Sequence, residues 1–287
     1  MTSRYLLALL SLSILSSITY AQQPRGPMNP DPGMPLPTVP KDTVFMEDLN
    51  WLEIRDAVAS GKTTAILSTG GIEMSGPYLV SGKHNYILKA TTEVIARRLG
   101  NALVAPIVGF VPQGGLEPPT GHMKFAGSFT VSDATYEALL LELTTALKIH
   151  GFRNIVLIGD SGGNQKGLKA VADKLNPLWK DEGVRVHYIE DYYKKHPAWS
   201  KWQESQGIDE VDKIHHSSFT AEAILLTQSP EHIRLTERRV VGQASLHGVS
   251  LEPVEKTLEH GYKALAYCAD VTCEAIKQAI DTTRQAP

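Results

Sequence analysis

This 287-residue chain contains little cysteine and has almost no excess of charge of one sign. It contains two cysteines, and its 28 basic and 31 acidic residues leave a formal net charge of −3. Two cysteines exclude a disulfide-dense scaffold and a cysteine-rich zinc module. Because nucleic-acid binding depends on a basic surface, the mild acidity gives no electrostatic support for a nucleic-acid partner. What the chain does have is 42% hydrophobic residues, enough for a substantial core without disulfides.

The first 21 residues have the parts of a secretory signal peptide. Arg4 supplies the positive charge, residues 5–18 form a short apolar run, and small residues stand at Thr19 and Ala21. The run is shorter than the roughly 20 apolar residues that a membrane-spanning helix needs. We therefore predict that residues 1–21 are a cleaved signal, that the protein is exported to the periplasm or secreted, and that it has no membrane partner after cleavage.

A proline-rich segment follows the predicted signal. Residues 22–44 contain seven prolines, and proline disfavours both a helix interior and a central strand. We predict an extended tether over residues 22–45, either a disordered leader or a docking arm. No repeat and no further linker is evident beyond it, so residues 46–287 are predicted to form one domain.

Short apolar runs and longer amphipathic stretches alternate through that domain. The predicted strands are residues 64–69, 102–106, 154–158 and 184–189, and the predicted helices are residues 87–99, 135–150, 166–175, 221–226 and 253–283. Strands that alternate with helices predict an α/β fold with a mostly parallel sheet. Sites in such folds lie at the carboxyl ends of the strands, which here directs attention to residues 70–85 and 159–165.

Residues 159–163 read GDSGG, which matches two catalytic strings. The chymotrypsin-like string belongs to an all-β fold with an upstream Ala-His-Cys segment, and neither feature is present. The G-x-S-x-G nucleophile elbow fits the local strand–turn–helix pattern, and acids and histidines such as Asp191 and His247 follow in the required order. Ser161 is therefore a candidate serine nucleophile, or else a small residue or helix cap in a tight turn.

Four segments, taken in order, resemble the creatininase (creatinine amidohydrolase) family. They are WLEI at residues 51–54, GIEMSGPY at 71–78, GHMKFAGS at 121–128 and DSGGN at 160–164. The resemblance extends over about residues 49–280 and implies a three-layer α/β/α sandwich. It also implies a metal-dependent amidohydrolase with a small-molecule amide substrate and two divalent ions, such as Zn or Mn. Members are often hexameric, so the resemblance implies a homo-oligomer, possibly a hexamer.

Several of the family's metal-ligand positions are substituted in this chain. The first glutamate of the family is retained as Glu73, but the histidine two residues later is Ser75. The bridging aspartate aligns with His84, and the histidine of the glycine-rich loop is Ser161. Since an imidazole cannot bridge two ions as a carboxylate does, these changes disfavour the family's dinuclear site.

A downstream glutamate of the family aligns best with Glu222. The histidine of the same family segment falls on Ser217, with His215 and His216 just before it. The sequence match that makes Glu222 the third possible ligand is therefore weaker than the matches for Glu73 and His84.

The resulting hypothesis is a hydrolase with one divalent ion held by Glu73, His84 and Glu222. Two carboxylates, one imidazole and an open water position resemble a catalytic mononuclear zinc site. Asp160 or His122 would assist as an outer partner or a general acid/base.

The alternative is an exported, non-catalytic protein of the same fold, such as a pseudoenzyme or binding scaffold that holds no ion. Glu73 and His84 would then form an ion pair in a former active site. Ser75 and Ser161 would fill the space that the ions left. A serine hydrolase that uses Ser161 is the third hypothesis.

Cys268 and Cys273 lie five residues apart in a predicted helix. That spacing places them on different faces, so a disulfide would require the helix to break between them. Two buried thiols are the favoured prediction, and an exported protein leaves a disulfide open.

Overall fold

The structure is a computed structural model that describes residues 30–194, 196–211 and 216–285. The predicted signal peptide and the first part of the predicted tether lie outside the described residues. The chain divides into two compact units, Met1–Val39 and Pro40–Pro287. In the first unit the described residues contain a turn, in which the carbonyl of Asp31 accepts a hydrogen bond from the amide of Met34.

Four parallel strands form the main sheet of the second unit, in the order β2-β1-β3-β4. They are β1 (Thr64–Thr69), β2 (Ala102–Val104), β3 (Asn154–Gly159) and β4 (Arg185–Tyr188). All six residues of β1 are buried, as expected for a central strand covered on both faces. The predicted parallel α/β sheet is confirmed, with each strand within two residues of its predicted ends.

Nine helices and a short antiparallel hairpin complete the part of the chain that the structure describes. The helices are α1 (Trp51–Ala59), α2 (Lys83–Leu99), α3 (Asp133–Ile149), α4 (Gln165–Leu178), α5 (Asp191–Lys194), α6 (His196–Ser205), α7 (Phe219–Gln228), α8 (Leu235–Val240) and α9 (Val254–Gln285). The hairpin pairs β5 (Ser245–Leu246) with β6 (Val249–Ser250).

The helices cover both faces of the sheet, so the second unit has three layers. Side chains alternate along a strand, and Ile66 of β1 therefore faces one layer while Leu67 faces the other. Ile66 belongs to a core built with residues of α2, α7 and α9. Leu67 belongs to a second core built with residues of α1, α3 and α4. This is the α/β/α sandwich that the family resemblance implies.

The domain begins earlier than its predicted start at residue 46. Val44 and Phe45 are buried in the core, and Phe45 makes a parallel bridge to Val104 of β2. The first helix, α1, was also absent from the predicted elements. It starts with a capping box, in which Asn50 and Glu53 exchange side-chain to backbone hydrogen bonds.

Both loops singled out in the sequence lie at the carboxyl edge of the sheet. One follows Thr69 at the end of β1, and the other follows Gly159 at the end of β3, which is paired with it. A third segment, residues 105–132, packs tightly against them. A Cβ atom on Gly163 would lie 2.4 Å from the carbonyl oxygen of Pro112, so glycine is required for this approach.

Cys268 and Cys273 are buried on the continuous helix α9 and form no disulfide, which confirms the prediction of two buried thiols. Within the described residues, none of the helices combines the length and the apolar character needed to cross a membrane.

Candidate functional site

Glu73 is the centre of a cluster of basic side chains at the carboxyl edge of the sheet. Its side chain is fully buried, at 0% exposure. Three nitrogen atoms lie around its Oε1 atom: His84 Nε2 at 2.7 Å, His216 Nε2 at 3.1 Å and Lys83 Nζ at 3.8 Å. A fourth, His122 Nε2, lies 3.5 Å from Oε2. One carboxylate is thus surrounded by four positive or protonatable groups.

Separate stretches of chain bring these side chains together. Lys83 and His84 form the first turn of α2, directly after the loop that carries Glu73. His122 lies in a 3-10 helix at Gly121–Lys124, and His216 lies just before α7. The predicted convergence of the two loops at this edge is therefore observed, but the set of residues is larger than predicted.

His84 is held between two carboxylates. Its Nδ1 is 2.7 Å from Asp160 Oδ2, and its Nε2 is 2.7 Å from Glu73 Oε1. Ionised carboxylates only accept hydrogen bonds, so both ring nitrogens satisfy them only when both carry a proton. Burial disfavours the charged ring, but the hydrogen bonds to Asp160 and Glu73 outweigh it and raise the pKa of His84.

The same contacts keep Glu73 ionised despite its burial. Burial by itself raises its pKa, whereas hydrogen bonds from His216 and His84 and the charge of Lys83 lower that pKa well below the usual range. Burial lowers the pKa of Lys83, whose ammonium donates a 2.8 Å hydrogen bond to the carbonyl of His216. Burial also lowers the pKa of His122, which favours a neutral, ligand-competent imidazole.

Glu73, His122 and His216 are arranged as a group that could hold a metal ion. One ligand atom from each lies within 4.8 Å of the other two. Two imidazoles and one carboxylate form a donor set of catalytic zinc sites. Glu73 Oε2 is buried and has no hydrogen-bond partner among the described residues. Since a buried acceptor without a partner is costly, a cation at this point fits the residues present.

Of the predicted ligand set, Glu73 and His84 are in contact, but Glu222 does not join them. These three residues do not form such a group among the described residues. Glu222 instead makes a buried 2.6 Å salt bridge with Arg238. The guanidinium also donates to the carbonyls of Gln243 and Ser245, which fixes it in place. A desolvated carboxylate needs such a counter-charge, so Glu222 has a structural partner away from Glu73.

Ser161 lines the same cavity as the cluster, but no triad with His247 forms. Its side chain makes no capping hydrogen bond to the adjacent 3-10 helix. His247 lines a different, smaller cavity with Glu222, and its Nε2 lies 3.2 Å from the carbonyl of Ser217. The nucleophile and the histidine of the serine-hydrolase hypothesis therefore face separate cavities.

Sequence reasoning missed His216 and Lys83 as site residues. His216 lies one position before Ser217, where the family resemblance places a histidine, so a one-residue shift of that alignment would have identified it. His215, the other neighbour, lies outside the described residues. Lys83 directly precedes His84, and nothing in the sequence pattern distinguishes it from a surface lysine.

A cavity of about 900 Å³ opens over the cluster. Its many polar lining residues include Lys83, His84, His122, Asp160 and His216. Its apolar lining includes Ile87, Ala221 and Ile224, from α2 and α7. A cavity of this size, in which polar groups converge beside apolar side chains, is typical of a small-molecule site.

Residues 47–276 match the protein-family model described as "Creatininase: Creatinine amidohydrolase". A crystal structure of creatinine amidohydrolase (creatininase) is 22% identical, covers 83% of this chain and 98% of its own, and superposes with a TM-score of 0.62. A manganese form of creatininase gives the same identity and coverage with a TM-score of 0.61. A putative creatinine amidohydrolase from Bacteroides fragilis NCTC 9343 is 15% identical, covers 82% and 97%, and has a TM-score of 0.56. No curated protein matched the chain.

Proposed function

The chain belongs to the creatininase family, and we propose that it is an amidohydrolase with one divalent ion held by Glu73, His122 and His216. The observation that carries this proposal is the convergence of these three ligand atoms within 4.8 Å under a ligand-sized cavity. Solved creatininases include manganese and zinc–zinc forms, which supports the same two metals here.

A zinc or manganese ion bound there would polarise an amide carbonyl and lower the pKa of a water molecule. The contacts of Glu73 determine how many ions we expect to bind. Lys83 and His84 both lie on the Oε1 side of Glu73, with nitrogen atoms 3.8 and 2.7 Å away. Oε2 is the oxygen left without a hydrogen bond among the described residues, so one ion is expected at this carboxylate.

Asp160 and His84 divide the remaining tasks. Asp160 lines the cavity and is partly exposed, so its carboxylate is placed to take a proton from the attacking water. His84 is hydrogen-bonded to both Asp160 and Glu73, so the position of each carboxylate constrains that of the other. The substrate class is a small cyclic or linear amide that the 900 Å³ cavity can contain.

Hydrolysis of a panel of lactams and short linear amides tests this function. Chelator-treated protein should be inactive and should regain carbon–nitrogen bond cleavage when Zn²⁺ or Mn²⁺ is returned. His122→Ala should remain inactive at any metal concentration, because it removes a proposed ligand. His150→Ala is the matched control, since His150 is an exposed histidine at the end of α3. Metal-independent turnover, or full activity of His122→Ala, would contradict the proposal.

The non-catalytic scaffold is the second candidate, and one observation favours it. Glu73 already has Lys83, His84 and His216 as partners for Oε1, so much of its charge is compensated by the protein itself. A scaffold would bind no ion and hydrolyse no member of the panel, while remaining folded. That combined result would select it over the hydrolase.

A further inference from the structure

Tyr192 reaches the back of the site through a buried chain of hydrogen bonds. It lies on α5, directly after β4 and Ile189, and its side chain is 0% exposed. Its hydroxyl donates to Asp160 Oδ1 at 3.1 Å and lies 2.9 Å from Thr91 Oγ1. Asp160 Oδ2 meets His84, which in turn meets Glu73. We call these five residues, Thr91–Tyr192–Asp160–His84–Glu73, the tyrosine–carboxylate chain.

The positions of the protons determine which group donates each hydrogen bond in this chain. The single hydroxyl proton of Tyr192 faces the carboxylate of Asp160, which can only accept it when ionised. Thr91 Oγ1 lies 2.9 Å from the Tyr192 hydroxyl and also 2.9 Å from the carbonyl oxygen of Ile87, to which it donates. From Tyr192 onward, each group is oriented by the group before it, and the orientation ends at Glu73.

We propose that Tyr192 is a positioning residue, which orients the Glu73 carboxylate for metal binding through Asp160 and His84. The inference rests on the proposed metal-dependent function. It assigns a role to a residue that touches neither the ligand group of Glu73, His122 and His216 nor the cavity lining.

The geometry explains why one remote hydroxyl matters. Asp160 uses one oxygen for Tyr192 and the other for His84, which fixes the rotation of its carboxylate. His84 is then held at both ring nitrogens, and it occupies Glu73 Oε1. Glu73 Oε2 is left directed toward His122, 3.5 Å away, and without a hydrogen bond among the described residues. A direct partner of a ligand, as His84 is of Glu73, sets the orientation of that ligand, and its loss typically reduces metal affinity by roughly 10–100-fold.

Zinc-binding calorimetry on the full chain tests the proposal. Tyr192→Phe removes only the hydroxyl, and we expect about a tenfold or larger loss of Zn²⁺ affinity. Tyr136→Phe is the matched control, because Tyr136 is equally buried and its hydroxyl donates to Thr69 instead. That variant should lose stability but keep its zinc affinity.

A metal-free measurement separates this inference from the proposed function. In metal-free protein with ¹⁵N-labelled histidine rings, Tyr192→Phe should shift the ring resonances of His84 and leave those of His187 unchanged. Unchanged His84 resonances, or unchanged zinc affinity, would overturn the positioning role while the function stands. If the wild type binds no zinc, the proposed function fails, and the His84 resonances still decide whether Tyr192 positions the chain.

Discussion

At the scale of single residues, one buried carboxylate organises the site. Glu73 was recognisable in the sequence because it stands in a family-like segment, and His84, His122 and Asp160 were also candidates. In the structure, His84 bridges Glu73 and Asp160, and His122 belongs to the group that could hold a metal ion. Glu222 could not be judged from sequence, because its partner Arg238 is defined by tertiary packing and not by a local pattern.

Glu222→Gln tests that reassignment. It leaves the guanidinium of Arg238 buried without its counter-charge, and breaking a buried pair typically costs about 3–5 kcal/mol of unfolding free energy. Urea unfolding should show a loss of this order, while zinc affinity in native buffer stays at the wild-type value. Glu259→Gln is the control, because the pair of Glu259 with Lys263 is exposed and screened by solvent and therefore contributes little to stability. A variant of full stability that no longer binds zinc would return Glu222 to the metal site.

At the scale of elements, the strands were predictable and the helix starts less so. Short apolar runs bounded by polar or glycine residues have the pattern of a buried parallel strand, and residues 64–69 and 154–159 are examples. The start of α2 was predicted four residues late, at residue 87 against Lys83. Its N-cap, Gly82, makes no side-chain capping bond, and its first turn is polar, so the usual start signals are absent.

Strand β4 carries a test of stability against pH. His187 is buried, and burial together with the charge of Arg185 lowers its pKa to about 4. The pKa of a histidine in the unfolded chain is about 6.5, so between about pH 6.5 and 4 His187 binds a proton in the unfolded chain and not in the folded chain. His187 therefore has no effect on the free energy of unfolding above about pH 6.5. As the pH falls toward about 4, it lowers that free energy by up to about 3 kcal/mol.

Urea unfolding at several pH values measures this effect. His187→Gln retains a donor for Asn154, whose side-chain oxygen lies 3.1 Å from His187 Nε2, but it does not titrate. Its stability should fall less steeply than that of the wild type between about pH 6.5 and 4. His150→Gln, at an exposed position, should follow the wild-type curve. Parallel curves for His187→Gln and the wild type would contradict the assignment.

At the scale of the whole molecule, the α/β/α sandwich gathers residues that are distant along the chain. Glu73, His122 and His216 belong to three segments that meet at the carboxyl edge of the sheet. The parallel sheet and this edge followed from the alternation of strands and helices, and the three layers from the family resemblance. Which imidazoles reach Glu73 did not follow, because it depends on loop packing such as the approach of Gly163 to Pro112.

The central claim is that this assembled group holds one divalent ion. Zinc titration calorimetry of the full chain, paired with metal analysis after dialysis, tests it most directly. We expect one ion per chain, bound by the wild type and by His150→Ala and lost in His216→Ala. Two ions per chain, no ion in the wild type, or undiminished binding by His216→Ala would contradict it.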